Sequence, residues 1–114
     1  MPEEETLNID FLKISQELRV RPEVLKRLIA SFASSLAEKM KFLEEAFSQN
    51  DTARMRSILH EIKGTAGNLR LTSISAAEHP MHEAVLAGAE KEKIAEHFQI
   101  LKLRVEELQT YIRK

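Results

Sequence analysis

Apolar residues recur every three or four positions along most of this chain, which is the spacing of one face of an α-helix. From Pro22 to about Gln49 the series Leu25, Leu28, Ile29, Phe32, Leu36, Met40, Leu43 and Phe47 predicts a long amphipathic helix with one buried stripe. Met55, Ile58, Leu59, Ile62, Ala66 and Leu69 predict a second long helix after a turn at Asn50-Asp51, either of which can cap it. Ile94, Phe98, Leu101, Val105, Leu108 and Ile112 predict a last helix from about Glu90 to Tyr111. Between these, Thr72 or Ser73 is expected to cap a helix of roughly residues 73–87, ended by Gly88. Pro80 falls in its middle and is expected to kink or restart it, because proline has no N–H for the helical ladder. A shorter segment with Leu7, Ile9, Phe11, Leu12, Ile14 and Leu18 predicts a first helix of about residues 8–18, with Asn8 a candidate cap and Arg21-Pro22 the break. Four long amphipathic helices with short connections predict an all-α fold: an antiparallel four-helix bundle with a short additional N-terminal helix packed across one end. The expected organisation is a single domain over residues 1–114, with the bundle core at about residues 22–113.

Composition narrows the function classes. At 114 residues the chain is long enough for a real core, and 43% hydrophobic with 31% charged residues is the balance of a soluble globular domain. Seventeen basic against eighteen acidic residues give a net charge of -1, so no global basic field draws it to nucleic acid. The absence of cysteine excludes disulfides, thiolate metal sites and cysteine nucleophiles. The acidic start Met1-Pro2-Glu3-Glu4-Glu5 lacks the order of a signal peptide, and no apolar run approaches the ~18 residues of a membrane span. A monomeric cytoplasmic protein is the expectation.

One stretch stands out from this regular pattern: His60-Glu61-Ile62-Lys63-Gly64-Thr65-Ala66-Gly67-Asn68-Leu69. Residues 60, 63, 64 and 67 follow the i, i+3, i+4, i+7 spacing of a single helical face. Each interior glycine costs a helix roughly 1 kcal/mol relative to alanine, so two of them need a reason. A strip with little side-chain cover beside a histidine, where another protein can come close, is the simplest one. Two positions from Ile58, His60 lies ~200° round from it, on the exposed flank of the core stripe. A neutral imidazole is nucleophilic near pH 7, and a lysine one turn along can offset the charge of an added phosphoryl group.

The stretch resembles the signature of the histidine-containing phosphotransfer (HPt) domain family, roughly His-x-Leu-Lys-Gly-Ser/Ala-Ser/Ala/Gly. The resemblance covers about residues 25–112, including the order of helices and the motif's place on the second long helix. It implies that His60 is the phosphoacceptor, that Lys63 stabilises the phosphate, and that Gly64 and Gly67 give a partner clearance. It also implies the partners, response-regulator receiver domains and/or a sensor histidine kinase. There is no glycine-rich nucleotide loop, so the chain is expected to be a phosphocarrier without its own ATP site or cofactor. Mg²⁺ is expected in the partner receiver domain. The chain departs from the family pattern twice. Arg70 stands where the family usually has glycine, a candidate contact for phosphate or an acidic partner, or an obstruction to docking. His82 stands where relatives carry a glutamate that orients the imidazole, with Glu78 or Glu83 able to substitute if Pro80 alters the register.

Two rival readings accompany this one. A non-phosphorylated HPt-like module would dock and regulate a receiver or kinase, and Arg70 is the feature that favours it. A metal site at His79 and His82, beside Glu78 and Glu83, has the i, i+3 spacing but is disturbed by Pro80. His97, next to Phe98, reads as a partly buried side chain, and Phe32, Met40, Phe42 and Met55 as core or docking-surface residues rather than a cofactor box.

Overall fold

The computed structural model describes residues 9–113, and among them every regular element is an α-helix. The order is α1 (Phe11–Leu18), α2 (Pro22–Ser48), α3 (Thr52–Asn68), α4 (Thr72–Leu86) and α5 (Lys91–Arg113). Helix α3 packs against α2 and α4, and α5 closes the ring by packing against the same two, while α1 lies against α2. Short connections force consecutive helices antiparallel, so the expected four-helix bundle with an added N-terminal helix is what forms.

Its core is made by the predicted stripes of α2, α3 and α5, joined by Ile74, Met81 and Val85 of α4, where the sequence reading names no stripe. Leu25, Ile29, Leu36, Leu43, Leu59, Ile62, Ile74, Met81, Leu101 and Leu108 are all fully buried. Emptying any one leucine of such a set to alanine costs about 2–5 kcal/mol, so the stripes alone specify the packing strongly. Leu28 departs from its predicted stripe and is exposed. With 27 residues against 17 in α3, helix α2 overhangs its neighbour, and Leu28 lies on the overhanging part. Helix α1 braces this end, where the Phe11 ring stacks on Tyr111 with centroids 6.1 Å apart.

Helix boundaries follow local chemistry. Asp10 and Asp51 cap α1 and α3, their carboxylates accepting from the backbone N–H groups of Lys13 and Arg54 at 3.1 Å. The first helix thus starts later than residue 8, and Asn8 lies outside the described residues. Leu71, not Thr72 or Ser73, holds the N-cap position of α4, without a side-chain cap bond. Pro80 does not restart α4, which runs as one helix from Thr72 to Leu86. The missing N–H strands only the Ala76 carbonyl, Ala76 is exposed to water, and buried Ala77, Met81 and Val85 hold both sides of the proline to the core.

Each of α1 to α4 ends in a left-handed residue: Arg19, Asn50, Arg70 and Gly88, with φ of 59°, 56°, 58° and 66°. The bonds are those of a Schellman motif; after α3, the Leu71 N–H donates to Ala66 O at 2.9 Å and Arg70 N–H to Gly67 O at 3.2 Å.

Candidate functional site

Helix α3 has three faces. Met55, Leu59, Ile62 and Ala66 are buried in the core, and Arg54, Ile58 and Glu61 line a shallow depression of about 290 Å³ with Ser35, Lys39 and Phe42 of α2. The remaining face carries Arg56, Ser57, His60, Lys63, Gly64 and Gly67, and every one of these is exposed. The four positions singled out by the sequence therefore share one solvent-facing stripe, as their spacing requires. The His60 imidazole makes no hydrogen bond to another described residue, which leaves its ring nitrogens available to a partner.

Packing and backbone conformation do not require glycine at positions 64 and 67. Neither Gly64 nor Gly67 has a positive φ, and a Cβ built on either meets nothing within 4 Å. Backbone geometry and packing would both accept alanine, which is a better helix former by about 0.5–1 kcal/mol at each position. The bare strip is a property of the surface.

On the opposite flank of α3, Lys39 Nζ donates to Glu61 Oε1 at 2.9 Å. That hydrogen bond, followed by the charge of Lys39, holds the Glu61 carboxyl below the ordinary glutamate range, with a smaller contribution from His60. A depressed carboxylate favours the fold above its unfolded-state pKa, and this contribution is lost as pH falls through the folded value. Lys39→Gln should return the Glu61 midpoint to the ordinary range in a carboxyl-carbon NMR titration; an unmoved midpoint would refute this account. Nearby, the exposed Phe42 ring lies 5.8 Å from the Arg54 guanidinium, so Phe42 is a surface residue and not part of the core.

Arg70 is not on the stripe. It follows the helix end, in the left-handed conformation, where the 3.6-residue repeat that sets the stripe no longer applies. Its Nη1 donates to the carbonyls of Gly67 at 3.1 Å and Asn68 at 3.2 Å, and its Nε to Glu17 Oε1 of α1 at 3.3 Å. Glycine is the residue this position ordinarily favours. The arginine instead spends its guanidinium on closing the end of α3 and tying α1 to it.

His82 also finds a partner on its own helix. Its Nδ1 lies 2.9 Å from Glu78 Oε2, and Glu78 is completely buried, its Oε1 without a hydrogen-bond partner. No hydrogen bond joins His82 or His79 to His60 among the described residues, so a role for His82 in orienting the His60 imidazole has no contact to support it. His79 and Glu83 are exposed and His97 is half-buried. Among the described residues no three His, Asp or Glu side chains gather where they could hold a metal. The Glu78–His82 pair was visible in the sequence only as an i, i+4 spacing on a helix, a signal too common to single out.

A family model described as Hpt domain matches residues 27–111, which is most of the chain and includes all of α3 and α4. No curated protein and no solved structure matches the chain significantly.

Proposed function

The chain belongs to the Hpt domain family, and on that premise we propose that it is a histidine phosphotransfer protein of a two-component phosphorelay, with His60 the phosphoacceptor. Membership places it in histidine-phosphotransfer signalling; the roles of single residues are our reading. The observation that carries the reading is the exposed imidazole beside two helix-interior glycines whose absent side chains would touch nothing in the domain. In-line transfer requires a partner's aspartyl phosphate to reach the ring at near-contact distance, and positioning dominates the chemistry of such a transfer. The bare strip at Gly64 and Gly67 supplies that approach.

In the transfer, a lone pair of the His60 ring attacks phosphorus. The N–P bond forms as the O–P bond of the acyl phosphate breaks, and the partner's aspartate leaves as its carboxylate. Onward transfer to a second receiver runs the same exchange in reverse. Lys63, one turn along and exposed, places an ammonium beside the phosphoryl oxygens. Mg²⁺ belongs to the receiver's acidic pocket in this scheme, and the chain acts as a carrier with no nucleotide site of its own. The finer parts of the proposal are receiver domains or a sensor kinase as partners, a cytoplasmic setting and action as a monomer. Among the described residues no helix is long and apolar enough to cross a membrane.

The rival, a docking module that is never phosphorylated, leaned on Arg70. With its guanidinium engaged by Gly67, Asn68 and Glu17, that residue has a role within the fold. The test is incubation with a phosphorylated receiver and magnesium. Acid-labile, alkali-stable label should appear on this chain and vanish in His60→Gln; stable binding with no label on the wild-type chain would sink the carrier and favour the rival.

A further inference from the structure

We propose that Arg56 is a second cation for the phosphoryl group on His60, closing on it from the side opposite Lys63. The inference rests on the carrier reading above and adds a residue that the His-x-x-Lys-Gly pattern does not contain. Arg56 lies four residues before His60 on the same exposed face, ~40° round the helix, with the two Cβ atoms ~5–6 Å apart.

Direction decides the matter. Every Cα–Cβ bond of an α-helix tilts toward its N-terminus, so a side chain covers the turn before its own position. The His60 ring therefore leans over the turn of Arg56 and Ser57, and a phosphoryl group at its outer nitrogen extends over that same turn. Lys63 leans back toward the ring from the C-terminal side. The phosphoryl group thus extends over the turn that carries Arg56. The Cα–Cβ bond of Arg56 itself tilts away, and its long, flexible stem is what lets the guanidinium turn back to the outer oxygens while Lys63 approaches from the other side. A guanidinium also suits the site, since its planar fork can meet two phosphate oxygens at once.

Charge pairing across the surface supports the assignment. Other cations near α3 are engaged within the fold: Lys39 with Glu61 at 2.9 Å, Arg54 with Glu45 at 3.7 Å, and Arg70 with Glu17 at 3.3 Å. Arg56 and Lys63 have no hydrogen bond or ion pair among the described residues, and the exposed stripe they share carries no carboxylate. Two cations left unneutralised one turn either side of a nucleophilic imidazole form a site for a dianion.

The test needs no protein partner. Potassium phosphoramidate serves as donor: the His60 ring nitrogen forms the new N–P bond, the donor's own P–N bond breaks, and ammonia leaves. The phosphoryl ionisation of the phosphorylated full chain is then followed by ³¹P NMR against pH. A neighbouring cation favours the dianion and holds the midpoint low, so Arg56→Gln should raise it by about half a pH unit, roughly threefold in proton affinity, at low salt. Arg56→Lys should restore most of the shift, and unchanged melting of both variants would separate the effect from folding. An Arg56→Gln midpoint equal to wild type, with Lys63→Gln displaced, overturns the role of Arg56 alone. A wild-type chain that takes no phosphoryl group at His60 overturns the carrier reading and this role together.

Discussion

Gly64→Ala and Gly67→Ala should each make the protein more stable and a poorer phosphoryl acceptor. The stabilisation follows from the empty surroundings of both glycines: the added methyl meets no atom within 4 Å, and alanine loses less backbone entropy on entering the helix. Each change should be worth about 0.5–1 kcal/mol, a rise of a few degrees in the melting temperature. Transfer should move the other way, because a displacement of even 1 Å between reacting atoms can cost on the order of 100-fold in rate. A single methyl at position 64 should be mild, and Gly64→Leu should bring transfer from a phosphorylated receiver down at least about tenfold with the helical signal intact. Thermal melts and transfer time courses on the same samples decide it. Destabilised alanine variants would mean that the glycines serve packing, and full-rate transfer by Gly64→Leu would mean that the strip is not where the partner lands.

The larger effect on stability belongs to Glu78. A carboxyl group at zero exposure, with one oxygen on His82 and the other unsatisfied, is held at considerable desolvation cost. Removing only its partner, in His82→Ala, leaves the carboxyl alone in the core and should cost about 3 kcal/mol, near 10 °C in melting temperature. Glu78→Met keeps the volume and removes both the charge and the unsatisfied oxygen, so it should be neutral or stabilising by about 1–4 kcal/mol. The double variant should then lose little beyond Glu78→Met alone, because the histidine has no buried carboxylate left to serve. Equal destabilisation by both single changes, adding in the double, would show that the pair is not coupled.

The contrast between these two features bears on what a sequence can reveal. The stripe of His60, Lys63, Gly64 and Gly67 was legible because exposure on a helix follows from angle alone, and glycine in a helix interior is locally unfavourable. The core of α2, α3 and α5 was legible for the same reason, as was the cap at Asp51, whereas the core face of α4 with Ile74, Met81 and Val85 was not named. Leu28 was misread because periodicity assigns a face without saying how far the neighbouring helix extends. Pro80 does not restart its helix because the bond it removes falls at exposed Ala76, while buried residues on both sides hold the helix to the core. The place of Arg70 was not legible because the helix ends at Asn68 and Arg70 is itself the left-handed residue that closes it. Nor was the burial of Glu78, because no pattern in the chain announces a buried carboxylate. Local chemistry and face were readable; the reach of neighbours and the end of a ladder were not.

The single exposed stripe on α3 also sets a limit on traffic. Residues 56–67 cover ~17 Å of helix, while a specific protein–protein contact typically takes about 800 Å² from each partner. On the proposed function, donor and acceptor would therefore occupy the same footprint in turn, neither arriving until the other has left. A long-lived complex with either one would idle the carrier, so throughput favours partners that dissociate quickly. Selection on such a surface acts on residence time as much as on recognition, and the shortest productive visit is the one that serves the pathway.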